Sequence, residues 1–553
     1  MSKYTIGIDF GTESGRVVVV DVKTGDIVST DVTEYRHGVI DNELPYSKHT
    51  LKRDTALQHP QDYIDVLEQS IPKSLSKAQI NKNDVIGIGL DFTACTMLPV
   101  DENFKPLCFH EKWKNSPHAW VKLWKHHAAQ EQADRINELA KLRNEPWLSR
   151  YGGIISSEWM LPKVLEILEE SPDLYDETAY FLEAADWITT IITGTLKRNS
   201  CAAGFKGTWS SEEGFVSKSF LQALHPHLKD IYEDKLSGDI VTIGNKAGHL
   251  TEQFAKRMGL VPGIPIAMGM VDAHSGVPGA GVTEPNKMVL VMGTSTCHML
   301  LSDKEKFIDG ISGVVKDGII PNYFAYEAGQ AAVGDIFAWF VRECVPAYVK
   351  ENASKQGINI HRYLEQLASK LPPGSNGLLA LDWHNGCRSP LVDANLSGMF
   401  VGLTLSTKPE EMYRSLIEAT AFGTKMIIEK FIEHGINIEE LVACGGLPQR
   451  NRLLMQIYAD VMGMPIKISN STVTPAIGSA MYGAVAAGAD NGGYDTIQEA
   501  AQNMAASYSD VFIPNNLNHK KYQSLYEEYK TLVDYFGRGH NDVMKRLRKM
   551  NSI

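Results

Sequence analysis

Two apolar strands each run into a glycine-threonine turn, one at the start of the chain and one past its middle: Ile6-Gly-Ile-Asp9-Phe-Gly11-Thr12-Glu-Ser14-Gly-Arg16 and Val289-Leu-Val-Met-Gly293-Thr294-Ser295-Thr296. A chain that carries this element twice is constrained to a two-part architecture, with one anion clamp built from both halves. The run Arg16-Val-Val-Val-Val-Asp21 follows the first turn, so each element reads as a hairpin whose glycine lets backbone N–H groups approach an anion closely. Thr12, Ser14 and Thr294 add hydroxyl donors. Asp9 ends the first strand, where its charge would repel a polyphosphate unless a cation lay between them. A divalent metal is implied, magnesium held largely through water.

At 553 residues the chain is long enough for about two to four domains. Its 43% hydrophobic and 22% charged residues exclude wholesale disorder. Lys and Arg number 54 against 66 Asp and Glu, a net charge of −12. No basic face is available for counterion release, so nucleic-acid binding is excluded as the main activity. Cys95, Cys108, Cys201, Cys297, Cys344, Cys387 and Cys444 contain no Cys-x-x-Cys pair, which points away from a zinc cage or disulfide framework and toward a reducing cytoplasm. The N-terminus enters a strand at once and no apolar run reaches spanning length, so neither secretion nor membrane insertion is expected.

Along the chain the pattern is that of an open α/β sheet, repeated. A buried strand over Asn83–Asp91 ends at the loop Phe92-Thr-Ala94-Cys-Thr96, a ligand-facing position beyond a strand's carboxyl end. Periodicity predicts helices over Ser157–Glu170 and Ala184–Thr193, and a loop over Glu34–Pro60. A strand over Gly263–Val271 leads into Asp272-Ala-His274-Ser-Gly276. The turn Thr283–Lys287 marks a boundary between parts 1–284 and 285–553. In the second part helices are predicted over Val333–Val341 and Glu410–Gly435, a strand over Leu441–Cys444 closing on Gly445-Gly446, and a charged packing helix over Asn518–Lys549. By residue type alone Asp272 reads either as a helix cap or as a carboxylate over a cleft, with His274 as a second candidate base. No Gly-x-x-x-x-Gly-Lys-Ser/Thr loop and no His-Glu-x-x-His motif is present.

Two segments carry a family resemblance over about residues 3–490. The first is Asp9-Phe-Gly11-Thr12-x-Ser14-x-Arg16. The second is Gly398-Met-Phe-Val-Gly402-Leu403, seven further residues, then Glu411-Met412-x-x-Ser415-Leu-Ile-Glu418. With these the chain resembles the FGGY carbohydrate kinases, of the superfamily of actin, hexokinase and the chaperone ATPases. Within it Asp91–Thr96, Leu123–Ala128, Gly293–His298 and Leu381-Asp-Trp-His-Asn-Gly-Cys-Arg-Ser-Pro390 are similar to the branch that acts on L-ribulose. Xylulose kinases usually carry Gly-Gln-Met-His-Gly where this chain has Phe92–Thr96, which disfavours xylulose.

The resemblance implies an α/β fold of two actin-like, ribonuclease H-like domains around a central cleft. It implies ATP and Mg²⁺, with L-ribulose or a related ketopentose as acceptor, and Asp272 as general base. Ala94, Lys206, Glu327 and Asp272 would bind the sugar, with Asp9 at the metal. The nucleotide would lie against Gly11, Thr12, Ser14, Arg16, Gly293, Thr294, Gly334, Gly445, Gly446 and Asn451. Trp124 would wall the pocket, although its spacing to Trp120 suits a core pair. The alternatives are a kinase for D-ribulose, xylulose or a polyol, and an actin- or chaperone-like ATPase with a conformational output. A homo-oligomer is compatible with all of them.

Overall fold

A computed structural model describes residues 2–47, 49–375 and 377–550. Two seven-stranded sheets organise the chain. The first contains β1 (Tyr4–Phe10), β2 (Ser14–Asp21), β3 (Ile27–Glu34), β4 (Val85–Phe92), β5 (Lys246–His249), β6 (Pro265–Ala267) and β7 (Met270–Val271). The second contains β8 (Lys287–Met292), β9 (Thr296–Ser302), β10 (Gly313–Lys316), β11 (Phe324–Gln330), β12 (Glu440–Cys444), β13 (Ile466–Ser469) and β14 (Tyr508–Phe512).

Both follow one plan. In the first, β1, β2 and β3 form an antiparallel meander and β4 joins β1 in parallel, followed by β6. In the second, β8, β9 and β11 form the meander and β12 joins β8 in parallel, followed by β13. Ile6, Ile8 and the run Val17–Val20 are fully buried, as continuous apolar strands covered on both faces must be.

The helices that bear on the site are α1 (Pro60–Ala78), α2 (Ser200–Lys206), α3 (Asp272–Gly279), α4 (Gly334–Trp339), α5 (Pro409–Glu433), α6 (Arg452–Met462), α7 (Thr474–Ala487) and α8 (Asn516–Gly537). Although α7 follows β13 of the second sheet, it lies directly on the first. A Cβ at Gly7 of β1 would come 1.8 Å from Ala476 O, and one at Gly89 of β4 would come 1.9 Å from Ser479 O. Glycine is required at these points because two backbones touch there. The same holds between α3 and α7, where a Cβ at Gly279 would come 2.0 Å from Thr474 O.

The expected helices over 157–170 and 184–193 occur as Met160–Glu170 and Ala184–Thr193. The strand expected over 263–271 is split into β6 and β7. The helix expected over 333–341 is α4, continued by a π-helical turn over Phe340–Cys344. The tail forms α8, which buries Tyr522, Tyr526, Tyr529 and Val533, and a second helix over Val543–Met550. Within the described part of 34–60 only the bridges Ile40–Leu57 and Glu43–Thr50 precede a short strand at Leu57–Gln58. Among the described residues no helix is long and apolar enough to cross a membrane.

Candidate active site

The two glycine-threonine turns are hairpins, but their glycine N–H groups are not the free donors. Gly11 N donates to Ser14 O at 3.0 Å and Gly293 N donates to Ser295 O at 2.9 Å, each closing its own turn. The N–H groups of Thr12, Glu13, Thr294 and Ser295 donate to no acceptor among the described residues. A Cβ at Gly293 would meet nothing nearer than Ser295 O at 3.9 Å, so the fold itself does not demand glycine there. The missing side chain leaves room for a ligand.

The first hairpin is braced by Gln58 Nε2 donating to Thr12 O at 2.7 Å and Trp124 Nε1 donating to Thr12 Oγ1 at 3.0 Å. Trp120 is fully buried while Trp124 is about one-third exposed; the two do not form a core pair. Against the second hairpin sits the start of α4. Val333 N donates to Thr294 O at 2.8 Å and Gly334 N to Gly293 O at 3.1 Å, and a Cβ at Gly334 would come 2.5 Å from Gly293 O. Gly445, with φ +98°, is likewise excluded from carrying a side chain by Met292 O at 2.5 Å, whereas a Cβ at Gly446 would meet nothing nearer than Arg450 Cζ at 3.8 Å. Asn451 caps α6, its Oδ1 accepting from Leu454 N at 2.9 Å.

Three carboxylates meet where the parallel strands of the first sheet end, the usual ligand position of an open α/β sheet. Asp9 on β1 and Asp91 on β4 are register partners, and Met270 of β7 pairs with Asp91, which brings Asp272 alongside. Asp272 is the first residue of α3 rather than its cap, which is Val271. Its Oδ1 accepts from Ala273 N at 2.6 Å. Burial, reinforced by the charge of Asp9, pushes the Asp272 carboxyl up to about 7. Burial raises Asp9 too, against the pull of Arg16, whose Nη1 lies 3.5 Å from Asp9 Oδ2. Asp91 is driven well above its ordinary range by burial and by Asp9. Ser479 Oγ of α7 donates to Asp91 Oδ2 at 2.6 Å, while Asp91 Oδ1 is buried with no donor.

Lys206 and Glu327, expected as separate sugar contacts, are ion-paired at 2.9 Å, and both side chains are at most 5% exposed. Glu327 Oε2 also lies 3.1 Å from His274 Nε2, and Arg388 Nη2 bonds Glu327 Oε1. Burial works against the charge of Glu327, yet Lys206, His274 and Arg388 together hold it well below the usual carboxylate range. Burial lowers His274 and keeps the ring neutral. With an ionised carboxylate on one side, Nε2–H donates to Glu327 and Nδ1 accepts from the Cys201 thiol at 2.9 Å. Both ring nitrogens are thus occupied, which removes His274 as a candidate base.

The loop bearing Ala94 is tied by a Thr93 Oγ1–Thr96 Oγ1 hydrogen bond of 2.7 Å and by buried Lys163, whose Nζ donates to Cys95 O at 2.6 Å. Ala94 itself is half-buried. Sequence reasoning missed Asp91, Lys163 and Arg388. Asp91 had one local signal, a carboxylate closing a wholly apolar strand.

Family models match both parts of the chain. Residues 4–279 match the N-terminal domain, and residues 288–487 the C-terminal domain, of the FGGY family of carbohydrate kinases. The chain belongs to the FGGY family of carbohydrate kinases. Among similar FGGY relatives is a protein named ribulokinase from Geobacillus thermodenitrificans, 58% identical over 99% of this chain and 97% of its own length. Another, from Mycolicibacterium smegmatis, is 46% identical over 100% of this chain and 97% of the relative. Among solved structures, gluconate kinase from Lactobacillus acidophilus has a TM-score of 0.80 at 18% identity, covering 98% of this chain and 99% of that one. Ligand-bound xylulose kinase from the same organism has a TM-score of 0.79 at 18% identity, covering 96% and 98%. These likenesses show the fold of this FGGY chain, the duplicated actin-like α/β plan.

Proposed function

We propose that this FGGY kinase transfers the γ-phosphoryl group of ATP to the terminal hydroxyl of L-ribulose, giving L-ribulose 5-phosphate in L-arabinose catabolism. The observation that carries the reading is the position of Asp272, at the head of α3 within electrostatic reach of both Asp9 and the Lys206–Glu327 pair. Relatives named ribulokinase at 58% identity over nearly the whole chain support the choice of sugar. The cysteines are unpaired, five of them buried, which suits a reducing cytoplasm.

In this reading Ala94 backbone atoms, Lys206 and Glu327 fix the sugar, and parts 1–284 and 285–553 close over it to exclude water. The Asp272 carboxylate takes the proton of the sugar hydroxyl as its oxygen attacks the γ-phosphorus. The bond from that phosphorus to the bridging β–γ oxygen breaks, and ADP leaves with the electron pair. A carboxyl poised near neutrality suits a proton acceptor. Thr12, Ser14, Arg16 and Thr294, with Gly11 in its turn and open space at Gly293, receive the phosphates. Gly334, Gly445, Gly446 and Asn451 line the nucleoside end.

The residues also fit a divalent cation. Asp9 and Asp91 are adjacent carboxylates, both raised by burial and Asp91 further by the charge of Asp9, and Asp91 Oδ1 lacks any donor, a site that positive charge would complete. Asp9 would hold Mg²⁺, which when bound neutralises charge on the phosphates. We expect Asp9→Ala to weaken the magnesium dependence of turnover and nucleotide affinity together. An unchanged magnesium titration in that variant would remove Asp9 from the metal site.

The test of the substrate is coupled ADP release over L-ribulose, D-ribulose, D-xylulose and glycerol. A buried polar site penalises a missing or inverted hydroxyl, so kcat/KM for L-ribulose should exceed that for D-xylulose or glycerol by at least about tenfold. A preference for glycerol or D-xylulose would leave a kinase but overturn the ribulose assignment.

A further inference from the structure

The segment Leu381–Pro390 carries no part of the chemistry above, yet it is clamped against the last residues of β11. Ser389 N donates to Gly329 O at 3.1 Å, and Gly329 N donates to Ser389 Oγ at 3.3 Å. At its other end the buried Asp382 accepts from Gln330 Nε2 at 2.8 Å and from Tyr529 OH of α8 at 2.7 Å. Held at both ends, the segment delivers one charged side chain to the sugar site. Arg388 Nη2 bonds Glu327 Oε1 beside Lys206. Its guanidinium lies over Gly329, where a Cβ would come 3.1 Å from Nη1 and 3.4 Å from Cδ. Glycine at 329 makes the room that Arg388 occupies.

One third of the Arg388 side chain is exposed, against 5% for Glu327, so the group is both anchored and presented. Lys206 and Glu327 bear on Asp272. Arg388 interacts most strongly with Glu327 and then with Cys297, Glu158 and Cys95, the last of these in the loop of Ala94.

We propose that Arg388 is a positioning and specificity residue of the acceptor site, locking the Glu327 carboxylate and offering its remaining N–H donors to the carbonyl end of an open-chain ketose. This rests on the ketopentose kinase reading above. Guanidinium is a donor-only group with five N–H bonds in a rigid fork. A ketone oxygen is an acceptor only and matches it. A pentitol puts a hydroxyl at that carbon, whose own proton must then find an acceptor in a buried site.

The experiment compares wild type, Arg388→Lys and Arg388→Met on L-ribulose and on ribitol, with the KM for ATP measured alongside. Arg388→Met is expected to raise KM for L-ribulose by at least about tenfold and to lower the ratio of kcat/KM for L-ribulose over ribitol. KM for ATP should stay within about twofold. Arg388→Lys keeps the charge on Glu327 but not the fork, and should recover KM more than it recovers the ratio. An unchanged ketose-to-pentitol ratio in both variants would overturn the proposal. So would equal rises in the KM values for sugar and ATP, which denote general loosening. If Arg388→Met does not fold, Arg388→Lys decides by the ratio alone. Absence of turnover of L-ribulose by the wild type would instead overturn the function proposed above.

Discussion

Asp272→Asn is expected to lower kcat by roughly 10²–10⁴, the scale of a positioned general base, while ATP binding and the fold persist. Asparagine is close to isosteric and its amide oxygen can still accept from Ala273 N, so α3 should begin unchanged. The same variant carries a second, independent signature. In the metal-free wild type the Asp272 carboxyl releases its proton near 7 in the folded chain, against an ordinary value of 3.8. Over that interval the folded chain holds the extra proton, so this group makes the unfolding free energy fall as pH rises. Asp272→Asn removes the slope and should melt higher relative to wild type at pH 8 than at pH 5. Turnover near the wild-type rate would move the base elsewhere, and melting curves that track wild type at both pH values would contradict the burial argument.

Glu327→Ala should be the most damaging change to stability in the site. It leaves Lys206, 3% exposed, and the guanidinium of Arg388 without their shared anion. Breaking a buried pair by removing one partner typically costs about 3–5 kcal/mol. His274 would lose the acceptor that fixes its tautomer as well. If Glu327 contacts the sugar as proposed, KM for sugar should rise by roughly 10–10², with KM for ATP far less affected. Denaturant melts and initial rates with each substrate varied separately check both parts. A variant as stable as wild type with an unchanged sugar KM would show that the cluster does neither job.

What could be read from the chain was local. The hairpins at Gly11 and Gly293 follow apolar strands and are visible as pattern, and the helix over 184–193 is a largely apolar run closed by Gly194, nine of its ten residues buried. Asp272 as a base came from resemblance, since residue type alone suggested a cap. Partnerships were not legible. Lys206 and Glu327 stand 121 residues apart, and nothing local says that one answers the other. Asp91 becomes significant only when β4 is known to lie parallel to β1 in register with Asp9. Arg388 rises from a segment without periodicity, held by contacts with β11 and α8. Asn451, expected near the nucleotide, spends its side-chain oxygen on the cap that its residue type favours.

The helix α7 has a practical meaning for anyone recombining such enzymes. Its sequence belongs to the second part of the chain, but its bed belongs to the first, shaped by glycines at 7, 87 and 89 that admit its backbone and no methyl group. It also supplies Ser479 to Asp91. A chimera joined near residue 284 would lay one parent's helix on the other parent's sheet. The workable crossover exchanges residues 474–487 together with the first part, so that inheritance follows contact rather than chain order.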